Sequence, residues 1–351
     1  MKLLFLADAS SYHTQRWVNY FAKKDHQCHL LSLEEGIVTE AKQYHIQPKL
    51  KMKGLKYFSS YSEIKRIANQ IKPDLVNALF VPNYGLLGAL LNFRPFALSA
   101  WGSDILVSAS RSFFHKFRAK FVLGKADLIL SDSNFLTEKI IELGVEQERI
   151  STSPLGIEID KYLRPKQGKE TITVLSTRRF EPIYDLETFI RAIPLILANS
   201  QKKVEFIIVG SGSQSEQLKR LAYNLKLQDK IMFKASLSDK ELIQTYLTSD
   251  IYVSTSLSDS TSVSLLEAMA SGLIPVVTDI PGNKEWIEDR KNGFLFPISD
   301  HRALAEQIIY VIDGYSNWVG FRERNISVIK KKAIWEDNMK VVEEEFLKLA
   351  G

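Results

Sequence analysis

A run of hydroxyl side chains at the start of a short helix is the first place in this sequence where residue types and spacing could do chemistry. Ser260, Thr261 and Ser262 are good helix N-caps, because their hydroxyls accept hydrogen bonds from backbone N–H groups at a helix start. Such a start, with the positive end of the helix dipole, attracts phosphate. Glu267 follows about a turn further in, where its carboxylate could accept hydrogen bonds from neighbouring sugar hydroxyls. Together these features indicate a nucleotide sugar as ligand; the alternative is a surface helix with a solvated Glu267.

Two glycines form a second candidate phosphate site. Gly210 and Gly212 come directly after the apolar run 204–209, and they could let backbone N–H groups approach a phosphate. A tight turn between a strand and a helix needs the same residues and is the alternative. The sequence contains no Asp-x-Asp triplet of the kind that chelates a metal, and we predict no metal site.

The elements that position these residues are predicted from an alternation of short apolar runs with amphipathic, helix-length segments. This alternation is typical of parallel sheets with crossover helices. The predicted strands are 3–7, 29–33, 75–79, 96–101, 128–131 and 150–153 in the first half, and 173–177, 204–209, 231–234, 251–255, 274–278 and 294–296 in the second. We therefore expect an α/β fold of two Rossmann-like, doubly wound domains that face each other across a cleft, with ligands at the carboxyl ends of the strands.

The domain boundary is predicted from a polar, irregular stretch at 164–169. We predict an N-terminal domain over 1–165, a C-terminal domain over 166–325, and a C-terminal helix over 326–351 that packs back on the N-terminal domain. A length of 351 residues suits two domains of ordinary size.

Composition and charge indicate a soluble, globular, cytoplasmic protein. Hydrophobic residues make up 45% of the chain and charged residues 25%. The apolar run that follows Met1 is cut short by Asp8, so it is predicted as a strand and not as an export signal. Cys28 is the only cysteine, which excludes an internal disulfide and a cysteine metal cluster.

The positive charge is concentrated in the first half of the chain. Residues 1–165 carry 22 Lys and Arg against 16 Asp and Glu, a net charge of +6. Residues 166–351 carry 24 against 25, a net charge of −1, so the whole chain has +5. This asymmetry favours an anionic partner, either a membrane surface or a phosphorylated substrate. No basic run with interleaved aromatic residues indicates nucleic acid.

One segment could contact a membrane. At helical spacing, Phe113, Phe117 and Phe121 share a face, with Phe114 beside them. The basic residues around the rest of the helix are Arg111, Lys116, Arg118 and Lys120. The pattern suits an interfacial helix on anionic lipid, and a core-facing helix with solvated lysines is the alternative.

Several motifs, taken in order, resemble the retaining glycosyltransferases of family 4, which have the GT-B fold. The motifs are Pro154-Leu155-Gly156-Ile157-Glu158, Thr177-Arg178-Arg179-Phe180, Val209-Gly210-Ser211-Gly212, Ile231-Met232-Phe233, the stretch from Ser256 to Val277, and Asn292-Gly293-Phe294-Leu295-Phe296 with Asp300. The resemblance covers nearly the whole chain. It implies a C-terminal domain that binds a nucleotide-sugar donor and an N-terminal domain that binds the acceptor.

The resemblance also implies roles for residues of the second half. Glu267 would hold the donor ribose, and Asp259, which stands where the family usually has Glu, would face the donor sugar and take part in catalysis. Arg179 matches an arginine that contacts the donor diphosphate, with Arg178 beside it. The backbone N–H groups near Ser260, Thr261, Ser262 and Val263 would also bind the donor, and Gly210 and Gly212 would lie beside the nucleotide. The family's lysine a few residues after the arginine is absent, and Tyr184 stands near its place.

The first half departs more from the family pattern. The loop 7–13 lacks the usual glycine pair, and we expect Ser10 and His13 to serve instead, although His13 could equally cap the following helix. Trp101 replaces a histidine at the end of a strand. Asp104 is retained and is expected to be catalytic or to orient the acceptor; a helix cap is the alternative.

The function predicted from these residues is retaining, metal-independent transfer of a hexose or N-acetylhexosamine from a nucleotide-diphosphate sugar. The donor is predicted to be a UDP-sugar rather than a GDP-sugar, and no cofactor is expected. The predicted acceptor is a saccharide or lipid-linked saccharide of cell-surface polysaccharide or glycan synthesis, reached at the inner face of the membrane. Because some family residues are absent, a non-catalytic subunit that supports a partner transferase is the alternative. A nicotinamide-dependent oxidoreductase is disfavoured, since the first loop has no glycine.

Overall fold

The chain forms two compact units in a computed structural model. The first unit comprises Met1–Pro154 and Asp337–Gly351, and the second comprises Leu155–Glu336. The structure describes residues 1–50, 52, 55–107, 112–163 and 171–351. The boundary predicted between 165 and 166 lies outside the described residues. The predicted C-terminal segment 326–351 is divided, with its part up to Glu336 in the second unit and the rest in the first.

The first unit is built on a parallel sheet of seven strands. Their order across the sheet is β3-β2-β1-β4-β5-β6-β7. The strands are β1 (Lys2–Leu6), β2 (Gln27–Ser32), β3 (Lys42–His45), β4 (Leu75–Leu79), β5 (Phe96–Ala100), β6 (Leu128–Ser131) and β7 (Ile150–Thr152). The sequence analysis did not predict β3, because it is a polar strand at the sheet edge and has no apolar run.

Helices connect these strands. They are α1 (Tyr12–Lys23), α2 (Leu55–Ile71), α3 (Leu86–Leu91), α4 (Ser103–Leu106), α5 (Phe113–Lys125) and α6 (Asn134–Glu142), with a π-helical turn at Val81–Gly85 and a 3₁₀ turn at Gln147–Arg149. The strand order reverses at β1, which has β2 on one side and β4 on the other. In doubly wound sheets the loops at such a point enclose a ligand crevice.

The second unit repeats this plan with six parallel strands. Their order is β10-β9-β8-β11-β12-β13. The strands are β8 (Ile172–Ser176), β9 (Val204–Val209), β10 (Ile231–Lys234), β11 (Ile251–Ser254), β12 (Ile274–Thr278) and β13 (Phe294–Phe296). The helices are α7 (Leu186–Asn199), α8 (Ser215–Asn224), α9 (Asp239–Leu247), α10 (Val263–Ala270), α11 (Pro281–Lys284), α12 (His301–Asp313) and α13 (Val319–Lys332), with 3₁₀ turns at Ile159–Lys161, Pro182–Tyr184 and Tyr315–Trp318. The order reverses at β8, between β9 and β11. The prediction of parallel α/β architecture is confirmed in both units.

The tail forms two helices and not the single one that its Lys- and Glu-rich pattern suggested. Helix α13 ends at Lys332, and α14 spans Trp335–Ala350. Between them the chain runs beside Ile157, whose N–H donates to Ala333 O at 2.8 Å and whose carbonyl accepts from Trp335 N at 3.0 Å. These long-range bonds replace helical ones, and the sequence pattern carries no sign of them.

Helix α14 packs on the first unit through side chains. The Phe346 ring stacks on Phe21 with centroids 5.2 Å apart. Glu343 accepts from the Tyr20 hydroxyl at 3.1 Å and pairs with His26 Nε2 at 2.7 Å. The C-terminal helix therefore completes the core of the first unit, which also contains the N-terminus of the chain.

Within the described ranges, no helix combines the length and the apolar character needed to cross a membrane.

Candidate functional site

The start of α10 lies in the second unit, just after the carboxyl end of β11 and next to the strand where the sheet order reverses. Ser262 is the N-cap, and its hydroxyl accepts from Leu265 N at 3.4 Å. Ser260 and Thr261 are buried just before it, and Val263 is the first helical residue. The predicted helix start is therefore where the sequence placed it, with its hydroxyls turned into the protein.

Arg178 is the centre of the polar contacts at this helix start. Its side chain is only 8% exposed. One terminal nitrogen donates to the hydroxyl of Ser264 at 3.0 Å and to that of Ser262, and the other pairs with the Asp259 carboxylate at 2.5 Å. The guanidinium lies over the Tyr184 ring, 4.2 Å from its centroid. Charge, hydrogen bonds and an aromatic face thus compensate for its burial.

The electrostatics keep Arg178 charged. Burial by itself lowers the pKa of this guanidinium, but the Asp259 carboxylate and the neighbouring tyrosines outweigh that effect. The pKa of Arg178 therefore lies above its ordinary value. Its Nε is buried without a hydrogen-bond partner in the structure, so one donor of the fork is unused.

Arg179, the residue that matches the family's phosphate-binding arginine, points elsewhere. Its side chain is 76% exposed and lies 4.0 Å from the Glu181 carboxylate. The structure brings Arg178 to Asp259 and leaves Arg179 at the surface.

Gly210 and Gly212 allow two backbone segments to come together. A Cβ on Gly210 would lie 2.3 Å from Arg178 O, and one on Gly212 would lie 2.5 Å from Phe180 O. No larger residue fits these positions without moving the segment that carries Arg178. This close packing is what a tight turn requires, and the place of the two glycines beside a nucleotide stays a prediction.

Glu267 lies on the second turn of α10 and is held by tyrosines. The Tyr162 hydroxyl donates to Glu267 Oε1 at 2.8 Å. Burial raises the pKa of Tyr246 well above its ordinary value, and the Glu267 carboxylate raises it further. The Tyr246 hydroxyl also lies 2.6 Å from Thr177 Oγ1 and 3.3 Å from Ser264 O. A chain of polar contacts thus joins the surroundings of Glu267 to those of Arg178.

The sequence analysis missed the residues that support this cluster. They are Tyr162, Tyr246, Tyr252 and Ser264. One sequence feature could have indicated the tyrosines, namely their position within or near strands of aliphatic residues. A buried tyrosine hydroxyl needs a polar partner, so such a tyrosine indicates a buried polar cluster.

In the first unit, Asp104 binds backbone. It is 1% exposed, and its carboxylate accepts from the N–H groups of Val81 at 3.1 Å, Trp101 at 3.2 Å and Ile105 at 3.1 Å. Burial raises the pKa of Asp104 to about 6, against the lowering effect of these N–H groups. The carboxylate ties together the loops after β4 and β5. The N-cap of α4 is Gly102, which makes no side-chain cap bond, so Asp104 is not the helix cap of the alternative, and its catalytic or acceptor-orienting role stays a prediction.

His13 and Ser10 also have contacts within the first unit. The His13 ring lies edge-on to Trp101, with centroids 5.9 Å apart. Burial and the nearby Arg16 lower the pKa of His13 to about 4, so its imidazole is neutral at pH 7. The Ser10 hydroxyl donates to the Asp8 carboxylate at 2.6 Å. At pH 7 the His13 ring can therefore make hydrogen bonds and ring contacts but no ion pair.

The phenylalanines of α5 lie at the surface. The exposed fractions are 86% for Phe113, 68% for Phe114, 62% for Phe117 and 37% for Phe121. The face that packs into the core consists of Ala119, Val122 and Leu123. Lys116 and Lys120 are exposed, Arg118 is half-buried, and Arg111 lies outside the described residues. The helix thus faces the core through small and aliphatic residues and keeps Lys116 and Lys120 in solvent, as the alternative has it, while its phenylalanines lie on the exposed side. Contact of this side with a membrane stays a prediction.

No cluster of three or more His, Cys, Asp or Glu side chains in the described part of the chain could hold a metal ion.

Two family models match the chain. "Glycosyl transferase 4-like" matches residues 2–133, and "Glycosyl transferases group 1" matches residues 160–328. The chain belongs to the group 1, family 4 glycosyltransferases. The recognition made from the sequence motifs is confirmed.

Individual relatives agree with this family. The chain is 31% identical over 169 residues to the UDP-N-acetylglucosamine–peptide N-acetylglucosaminyltransferase GtfA subunit of Streptococcus pneumoniae, in a match that covers 47% of this chain and 32% of that one. It is 28% identical over 257 residues to the amylovoran biosynthesis glycosyltransferase AmsK of Erwinia amylovora, covering 69% and 63%. The aligned part therefore spans less than two thirds of the length of these relatives.

A solved structure shares the fold of this chain. Anabaena Alr3699/HepE, crystallised in complex with UDP-glucose, matches 99% of this chain and 100% of its own with a TM-score of 0.83 and 19% identity. The two units are thus the Rossmann-like domains of the GT-B fold.

Replacing Arg178 by Met should destabilise the second unit by about 2 kcal/mol, because Asp259 would keep its charge without its cationic partner in a largely buried site. Arg179→Met is the matched control, and its effect should stay within about 0.5 kcal/mol because that side chain is exposed. Chemical denaturation followed by fluorescence measures both. Equal losses of stability in the two variants would contradict the assignment of the buried ion pair to Arg178.

Asp104 should make folding stability depend on pH. Its pKa is about 6 in the folded chain and 3.8 ordinarily, so the folded state binds this proton more tightly. The protonated carboxyl therefore stabilises the folded state, fully below pH 3.8, and this stabilisation is lost as pH rises through about 6. Relative to Asp104→Asn, the free energy of unfolding of the wild type should fall by about 2 kcal/mol between pH 4 and pH 7. Parallel stability profiles for the two proteins would show that the carboxyl does not titrate in this range.

Proposed function

We propose that this chain is a retaining glycosyltransferase that transfers a hexose or N-acetylhexosamine from a nucleotide-diphosphate sugar to a saccharide or lipid-linked saccharide, in cell-surface polysaccharide or glycan synthesis. The observation that carries the proposal is the buried, charged Arg178, which contacts the start of α10, the helix that carries Glu267. One region thus offers a cation for a diphosphate and a carboxylate for a ribose.

The diphosphate is assigned to the start of α10. A helix N-terminus and an arginine both favour an anion, and in a site shielded from water their attraction is stronger than in solution. Asp259 balances the charge of Arg178 before the donor binds, and at 18% exposure it lies at the edge of the site. We assign Asp259 to the donor sugar and Arg178 to the charge that develops on the leaving diphosphate.

The ribose is assigned to Glu267. Its carboxylate is an acceptor only, so it suits a ligand with two adjacent hydroxyl donors. We propose uracil as the base of the donor nucleotide. The support comes from similar proteins, since HepE was solved with UDP-glucose and the GtfA subunit is named for UDP-N-acetylglucosamine.

Transfer on one face of the sugar requires little from the protein besides charge and position. The bond from the sugar carbon to the diphosphate oxygen breaks, the bond to the acceptor oxygen forms, and the acceptor proton passes to the departing phosphate. Arg178 and the N–H groups at the start of α10 would stabilise the leaving charge, which is the work that a metal performs in other transferases. We therefore propose metal-independent transfer.

A thermal-shift screen of UDP-, GDP- and ADP-sugars tests the donor assignment. A UDP-sugar at a hundredfold its dissociation constant should add about 2.7 kcal/mol to the stability of the wild type. Glu267→Ala should lose this stabilisation because the ribose contact is removed, whereas Glu288→Ala, at an exposed glutamate of the same unit, should keep it.

Turnover with the selected donor tests the chemistry. The product should retain the anomeric configuration of the donor, as read by NMR, and the rate should not change with EDTA. Activity lost to EDTA and restored by manganese would overturn metal independence, while absence of donor binding in the whole screen would overturn the transferase proposal.

The acceptor is proposed to lie at the cytoplasmic face of a membrane. The support is the exposed phenylalanine face of α5, which has Lys116 and Lys120 beside it. Aromatic side chains inserted at the lipid boundary with lysines near anionic headgroups form a typical interfacial helix.

Flotation with vesicles tests this contact. The wild type should float with vesicles that contain phosphatidylglycerol, and Phe113→Ser combined with Phe117→Ser should weaken binding at least tenfold because two apolar side chains no longer leave water. Phe58→Ser is the matched control, since Phe58 is 58% exposed in the same unit but lies on α2. Equal flotation of all three proteins would contradict the role of α5.

A further inference from the structure

Tyr162 contacts the carboxylate to which the ribose is assigned, although it lies far away in the sequence. It is 6% exposed, and its hydroxyl donates to Glu267 Oε1 at 2.8 Å. The residues are 105 positions apart, and Tyr162 follows the short 3₁₀ turn Ile159–Lys161. The contact is therefore a product of the tertiary fold.

A second tyrosine holds the first in place. The rings of Tyr162 and Tyr246 meet edge to face, with centroids 6.1 Å apart and planes inclined by 75°. Tyr246 is itself fully buried, and its hydroxyl is tied to Thr177 and to the backbone of Ser264. The Tyr162 hydroxyl thus has little freedom to leave the carboxylate.

A glutamate on a helix has several rotamers, and binding a ligand through it requires one of them. Fixing a flexible side chain in advance lowers the entropy cost of binding. A hydrogen bond from a buried phenol to one carboxylate oxygen selects a single orientation of the carboxylate plane. Each oxygen can accept more than one hydrogen bond, so this contact orients the carboxylate and leaves it able to accept from a sugar.

We propose that Tyr162 is a positioning residue that orients Glu267 toward the adjacent hydroxyls of a nucleotide ribose. The inference rests on the proposed function, because it takes the ribose as the ligand of Glu267. It assigns to this tyrosine a part in nucleotide recognition through Glu267, without direct contact with the nucleotide.

The same unit contains a matched pair for comparison. The Tyr315 hydroxyl donates to the Asp250 carboxylate at 3.0 Å, and Asp250 also accepts from Thr173 N at 2.8 Å at the start of the sheet. This pair has the same chemistry but lies at the amino ends of the strands. Removing its hydroxyl changes folding stability and not the ribose contact.

The experiment compares binding of UDP and of 2′,3′-dideoxy-UDP by calorimetry. The wild type should prefer UDP, since the dideoxy ligand has no hydroxyls for Glu267. Tyr162→Phe should reduce that preference about fivefold by weakening UDP and not the dideoxy ligand, because a hydroxyl that orients a charged acceptor is lost. Tyr315→Phe should leave the preference unchanged, even where thermal unfolding shows lower stability.

The possible results separate the two proposals. An unchanged preference in Tyr162→Phe, or an equal loss of affinity for both ligands, would overturn the positioning role while the transferase proposal stands. Failure of the wild type to bind UDP would overturn the donor assignment and this inference with it. If Tyr162→Phe does not fold, Tyr246→Phe removes the second phenol hydroxyl that interacts with Glu267 and keeps the ring that packs on Tyr162. A smaller drop in preference in the same direction is then expected, and an unchanged preference would overturn the positioning of Glu267 by tyrosine hydroxyls.

Discussion

The second unit depends on how it accommodates one buried positive charge. A guanidinium removed from water needs an opposite charge and several acceptors close by, and Arg178 obtains them from separate parts of the chain. Asp259 comes from the loop after β11, Ser262 and Ser264 from the start of α10, and Tyr184 from the turn before α7. The loops after the two central strands β8 and β11 are thereby gathered around one charge, and the proposed donor site is the place where they meet.

A buried charge has a similar structural effect in the first unit, with the opposite sign. Asp104 accepts hydrogen bonds from the backbone of Val81 and Trp101, so it ties together the loops that follow β4 and β5. Trp101 then lies against His13, in the first turn of the helix α1 that follows β1. In both units the ends of central parallel strands carry a buried ionised side chain whose partners lie on different loops. Doubly wound sheets place binding loops at these ends, and a fixed loop costs less entropy when a ligand arrives.

Much of the fold could be predicted from local pattern. The strands 75–79, 128–131, 204–209, 231–234, 274–278 and 294–296 have the bounds of the predicted runs, because parallel strands that pack against helices consist mostly of apolar residues. The edge strand β3 has no such requirement, and its polar Lys42–His45 was missed for that reason. The break between α13 and α14 was missed because bonds to Ile157 create it, and nothing in the neighbouring residues encodes those bonds.

The sequence by itself determined the start of α10, the position of Glu267 on that helix, and the membership of the chain in its family, since caps, helical spacing and motif order are local properties. Only the tertiary structure decided which of the two adjacent arginines contacts the start of α10. Composition cannot predict that choice, because Arg178 and Arg179 are neighbours of the same residue type and differ only in the direction in which the folded chain projects them. The structure alone also brought Tyr162 to Glu267 and put the phenylalanines of α5 at the surface. Contacts between segments about a hundred residues apart depend on sheet order and packing, so they cannot be predicted from the local pattern of a single sequence.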